Sequence, residues 1–108
     1  MKKKDIIKSP RDFTEIINNG TLMKNKAYRI YYQKSNDKNR YGISVPTKTE
    51  KAVIRNKIKR RVKNIIDNNK NMIKKSYNYV IIIRKVILDL SYIEMEKELL
   101  NLINKIGD

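Results

Sequence analysis

The spacing of hydrophobic and polar residues changes several times along the chain, and each change predicts an element. Phe13, Ile16 and Ile17 share one side at helical spacing, directly after Ser9-Pro10-Arg11-Asp12. Serine as N-cap, proline at the first helical position where its missing N–H costs nothing, and aspartate at the capping-box position mark a helix start. Gly20 marks its end. From Ala27 to Gln33 the period falls to two: Tyr28, Ile30 and Tyr32 alternate with Arg29, Tyr31 and Gln33, as in a strand. This places Tyr31 on the Arg29 side, facing a groove rather than the core. Ser35-Asn36-Asp37-Lys38-Asn39 reads as a turn, and Tyr41, Ile43 and Val45 alternate with Gly42 and Ser44 in a second strand closed by Pro46. These two strands are expected to pair as a hairpin.

Between about Lys51 and Asp67 the helical period returns, with Ile54, Ile58, Val62, Ile65 and Ile66 on one side. Tyr79 to Ile83 is a short, continuously apolar run, the signature of a central strand buried on both faces. Ser91-Tyr92-Ile93-Glu94 is a capping box opening a last helix that turns Met95, Leu99, Leu102 and Ile106 inward. The expected order is αββαβα in an α+β sandwich, one domain over residues 1–108, with a βαβ unit from the second strand to the third. Residues 1–8, which carry Lys2, Lys3 and Lys4, read as a flexible basic arm or as a frayed terminus.

Composition narrows the function. The chain has no cysteine and no histidine, which removes disulfides, thiolate metal sites and the commonest general base. The 26 lysines and arginines against 11 acidic residues leave a net charge of +15, which calls for a polyanionic partner. The longest apolar run, Val80-Ile81-Ile82-Ile83, is far too short to span a bilayer, and Met1-Lys2-Lys3-Lys4 is followed by nothing resembling a signal peptide. A cytoplasmic nucleic-acid-binding protein is expected. Glu94 and Glu98 stand one helical turn apart, but with Lys97 beside them they read as a solvated face, and no protein-held metal is assigned.

Charge position says more than charge number. Asn56, Lys57, Lys59, Arg60, Arg61, Lys63 and Asn64 fill the arc opposite the apolar stripe of the long helix, with Arg55 at its edge. A solvated helix in a lysine-rich chain normally interleaves Glu with Lys, yet nothing acidic occurs between Glu50 and Asp67. Arginine forks suit phosphate oxygens, and asparagine suits a base edge or a ribose hydroxyl, so the combination favours folded RNA.

The run Lys51-Ala52-Val53-Ile54-Arg55-Asn56-Lys57-Ile58-Lys59-Arg60-Arg61 resembles the signature of the bacterial ribonuclease P protein family, which carries Arg-Asn-Arg followed by Lys-Arg. Asp12-Phe13, Asn19-Gly20-Thr21, Tyr41-Gly42-Ile43-Ser44-Val45 and Tyr79-Val80-Ile81-Ile82-Ile83-Arg84-Lys85 recur in the family's order. Lys57 stands where arginine is usual, Ile17 where an aromatic is common, and Pro46-Thr47 and Glu50 where Ser, Lys and Gly are frequent.

The resemblance implies a ribosomal-protein-like fold with a left-handed βαβ crossover. It also implies a subunit that assists a catalytic RNA in removing the 5′ leader of precursor tRNA, the RNA supplying the active site and its Mg2+. Arg55, Asn56, Lys57, Lys59, Arg60, Arg61 and Lys63 carry over as contacts to the catalytic RNA. Phe13, Ile17, Tyr31, Ser44 and Lys48 carry over as the cleft for the precursor-tRNA leader. No catalytic residue, membrane or protein partner is implied. Two other classes compete: a ribosomal or other structural RNA-binding protein, which needs no leader cleft, and a metal-dependent nuclease acting alone, which needs clustered carboxylates.

Overall fold

The computed structural model describes residues 1–36, 38–46, 48 and 51–106; Asp37, Thr47 and Glu50 lie outside the described residues. Three helices pack on a four-stranded sheet: α1 (Pro10–Asn19), β1 (Thr21–Lys24), β2 (Tyr28–Lys34), β3 (Arg40–Ser44), α2 (Ala52–Asn68), β4 (Tyr77–Ile83) and α3 (Tyr92–Ile103). The sheet order is β1-β2-β4-β3.

The apolar run predicted to be central takes that place. In β4, Tyr79, Val80, Ile81 and Ile83 are buried, because α1 covers one face of the sheet while α2 and α3 cover the other. This overturns the expected hairpin. β2 and β3 do not pair: β4 lies between them, antiparallel to β2 and parallel to β3. A strand apolar on both sides gains most from the middle of the sheet, where burying each large side chain stabilises by about 1.5–3 kcal/mol. The hairpin partner of β2 is instead β1, a strand missing from the expected order. Their turn is built by Asn25, whose Oδ1 accepts from the N–H groups of Ala27 and Tyr28 at 3.0 and 2.9 Å.

Two predicted caps have different fates. Ser91 forms a complete capping box with Glu94. Ser9 makes no side-chain cap bond, and α1 starts on Pro10 in its first turn with the Phe13 N–H donating to the Ser9 carbonyl at 3.1 Å. The leading segment, for which the sequence left a flexible arm and a frayed terminus open, lies against the domain. Residues Lys3–Asp5 form a 3-10 turn, Ile6 bridges to Tyr41 on the outer edge of β3, and Ile7 is buried under α1. Its apolar Ile6-Ile7 pair, masked in the sequence by three lysines, is what docks it.

The α2/α3 face holds the larger core. Tyr28 lies fully buried there, its hydroxyl donating to the Met95 carbonyl at 2.9 Å, and Tyr41 stacks on Tyr79 with ring centroids 5.5 Å apart.

Candidate nucleic-acid interface

The two surfaces singled out by sequence lie on different faces of the sheet, joined by β3. On the α2 side, Ile58, Val62, Ile65 and Ile66 are buried and Ile54 packs against them, as the periodicity required. Burial on this scale, about 1.5–3 kcal/mol per residue, holds the helix against its own charge. The like-charge pairs one turn apart (Arg55 with Lys59, Lys57 with Arg61, Lys59 with Lys63) cost only about 0.2–0.5 kcal/mol each.

Burial also orders the cations around α2. Asn56, Lys57 and Arg60 are exposed, while Arg55, Lys59, Arg61 and Lys63 are half-buried at the flanks with their charged ends on long stems. Asn56, Lys57, Lys59, Arg60, Arg61 and Lys63 have no ion-pair or hydrogen-bond partner among the described residues. The first turn of α2 has no acidic residue and Lys51 supplies no side-chain cap, so helix N–H groups add to the positive field at that end.

On the opposite face, Phe13 and Ile17 of α1 close over Tyr31, Val80 and Ile82 of the sheet, with Ile7 and Ile16 buried behind. The Phe13 ring rests on Gly42: a Cβ at that position would lie 2.5 Å from Phe13 Cζ. Glycine is what lets α1 approach the sheet so closely. Phe13, Ile17 and Tyr31 are half-buried, so each packs on one side and leaves part of its surface open. Ser44 sits beside Ile82 on this same face, since paired residues in neighbouring strands point the same way. Lys48 lies exposed in the turn between β3 and α2.

The structure adds residues that sequence reasoning passed over. Arg29 shares the face of Tyr31, and its Nη2 donates to the Tyr31 hydroxyl at 3.1 Å. Its Nε is buried without a partner. Gly42 and Ile82 complete the floor. The period-two alternation already put Arg29 beside Tyr31; what it could not show was which strand would lie alongside. The result is a partly exposed aromatic and aliphatic patch with a guanidinium at one side.

Three of the carboxylates are committed elsewhere. Asp5 pairs with Lys38 at 2.6 Å, which holds its carboxyl below the ordinary range, Glu98 pairs with Lys26 at 3.3 Å, and Glu94 caps α3. Among the described residues no three histidine, cysteine or acidic groups are gathered where they could hold a metal ion. Among the described residues no helix is long and apolar enough to cross a membrane.

The sequence model of the family described as Ribonuclease P matches residues 1–107. The chain belongs to the ribonuclease P protein family. Over 105 residues it is 42% identical to the ribonuclease P protein component of Streptococcus pneumoniae serotype 4, an alignment spanning 95% of this chain and 85% of that protein. The solved RNase P protein from Thermotoga maritima superposes with a TM-score of 0.88 at 32% identity, covering 94% of this chain and 97% of that one. The Staphylococcus aureus RNase P protein gives a TM-score of 0.88 at 28% identity, with 95% of each chain covered. The α+β architecture expected from the ribonuclease P signature is thus the one observed.

Proposed function

We propose that the chain is the protein subunit of ribonuclease P, docking through α2 on the catalytic RNA and holding the 5′ leader of precursor tRNA between α1 and the sheet. The observation that carries this reading is the arrangement around β3. Gly42 and Ser44 lie on the Phe13–Tyr31 face, and the same strand precedes helix α2, which carries no acidic residue before Asp67. One strand thereby borders both nucleic-acid surfaces.

On α2, Arg55, Asn56, Lys57, Lys59, Arg60, Arg61 and Lys63 contact the catalytic RNA, the cations neutralising phosphates and Asn56 reaching a base edge or a ribose hydroxyl. In the cleft, Phe13 and Tyr31 stack on leader bases, Ile17 supplies an aliphatic wall, and Ser44 and Lys48 take the sugar-phosphate side. Arg29, already bonded to the Tyr31 hydroxyl, fixes that ring and presents its remaining N–H groups to the strand.

Chemistry belongs to the RNA with its Mg2+. The protein contributes differential binding: contacts made only by the leader favour precursor over mature tRNA, and the basic helix lowers the metal concentration the RNA needs to fold. A structural RNA-binding role would explain α2 but not the half-exposed Phe13–Tyr31 patch on the opposite face.

The test is reconstitution with a bacterial ribonuclease P RNA and precursor tRNA at low Mg2+. Cleavage at the 5′ end of the mature tRNA is expected to rise on adding the protein, and the protein alone is expected to cleave nothing. No stimulation at any protein concentration would overturn the reading.

A further inference from the structure

A second groove opens on the other face of the sheet, where α2, the 3-10 turn Lys85–Asp89 and the start of α3 meet. It encloses about 370 Å³, within the range of about 300–1,000 Å³ in which clefts hold small ligands. Its floor is aliphatic: Ile58, Ile87 and Met95 are at most 6% exposed. Leu88 stands at the rim, 37% exposed. Lys57 and Arg61, one helical turn apart, form the α2 wall, and neither has an ion-pair or hydrogen-bond partner among the described residues. Val53, one turn ahead of Lys57, is largely exposed as well.

The two halves of this groove restrict what can fill it. An apolar protein segment would cover Lys57 and Arg61 without offering them an anion, and desolvating unpaired charge opposes such a complex. A free phosphate would satisfy the cations and leave the exposed Leu88 at the rim in water. A nucleotide meets both demands, with the apolar face of its base on Ile58, Ile87, Met95 and Leu88 and its phosphates on Lys57 and Arg61. Bases inside a duplex are paired and stacked, so the nucleotide must come from a loop, bulge or junction.

We infer that this groove receives one unstacked nucleotide of the catalytic RNA, making the Lys85–Asp89 turn and the start of α3 part of the RNA interface. The inference rests on the reading that α2 docks on that RNA. It turns Lys57 and Arg61 from general phosphate contacts into the wall of a base pocket.

Because the chain has no cysteine, single cysteines can carry a photo-crosslinker. Leu88→Cys is placed at the groove rim and Asn64→Cys on the exposed face of α2, each reconstituted with the catalytic RNA. Position 88 is expected to label a single unpaired nucleotide, and position 64 to label neighbouring backbone. Leu88→Ser is expected to weaken binding of the catalytic RNA about fivefold or more while the melting temperature of the free protein stays unchanged. Labelling from position 64 but not from 88, or labelling of paired nucleotides from 88, overturns the pocket and leaves the α2 reading standing. Silence from both positions removes the α2 reading as well. Crosslinking of position 88 to a second copy of the chain in place of RNA also overturns the inference, assigning the groove to self-association.

Discussion

Substituting Gly42 by alanine tests how the leader cleft is built. The added Cβ would sit 2.5 Å from Phe13 Cζ and 2.8 Å from Cε2, and its three nearest atoms all belong to that ring. Carbon atoms pack at about 3.5–4.0 Å, so the ring must withdraw by roughly 1 Å or more. Phe13 is only half-buried and can swing outward, which puts the cost in the usual range for overpacking, about 1–3 kcal/mol. For a domain of this size each kcal/mol lowers the melting temperature by roughly 4 °C or slightly more. A drop of about 4–12 °C is therefore expected in thermal unfolding followed by circular dichroism.

The cause is isolated by a double-mutant cycle with Phe13→Ala. Removing the ring removes the three closest contacts of the added methyl group, so most of the cost of Gly42→Ala should vanish in that background and appear as coupling. If the two substitutions add to within about 0.3–0.5 kcal/mol, the ring does not rest on Gly42 and the leader site is not built on that contact. In tRNA binding, Gly42→Ala should reduce the preference for leader-bearing over mature tRNA, because the ring it moves is the one assigned to stacking.

Three further outcomes are expected. Arg60→Ala should weaken binding to the catalytic RNA and flatten the log–log salt dependence by about one unit, while leaving stability within about 0.5 kcal/mol; an unaltered slope in a salt titration would show that Arg60 meets no phosphate. Tyr31→Ala should cost about 1–3 kcal/mol for leader-bearing tRNA and nothing for mature tRNA; equal loss for both would point to a folding defect. Burial pushes the Tyr28 and Tyr79 phenols well above the ordinary value near 10, with Glu98 adding to the shift at Tyr28 and neighbouring tyrosines at Tyr79. Folded-state values raised in this way mean that the stability held by the neutral phenols is complete below about pH 10 and is lost as pH rises through the folded values. In an alkaline absorbance titration these two tyrosines should ionise only with unfolding, and ionisation of all seven near pH 10 in the folded protein would contradict their burial.

Most of the elements were legible because each rests on a local pattern. The 3.6 period fixed the buried side of α2, and two-residue alternation separated Tyr28 and Ile30 from Arg29 and Tyr31 before any partner strand was known. Strand pairing was the point of failure. Thr21-Leu22-Met23-Lys24 is short and shows no clean alternation, so β1 left no signal, and the polar stretch after β2 looks the same whether it turns a hairpin or passes over β4. Which strand lies between two others is decided by burial across the whole sheet. The basic face of α2 could be read because charge on a helix declares itself by periodicity. The groove between α2 and α3 could not, since Leu88 and Met95 meet Lys57 and Arg61 only through the tertiary fold. The role of Gly42 was hidden for the same reason.

The outer edge of β3 carries Ile6 as a one-residue bridge, with the Ile7 N–H donating to the Tyr41 carbonyl at 2.9 Å. At the other end of the sheet β1 is only four residues long and carries Lys24. A net charge of +15 keeps free copies apart by repulsion, but on RNA that charge is neutralised and the repulsion fades. Short, covered edges work in either state, because they deny a neighbour the free row of backbone donors and acceptors that strand addition requires. The docked N-terminal residues thus guard against aggregation under the one condition, crowding on a polyanion, in which electrostatics stops doing so.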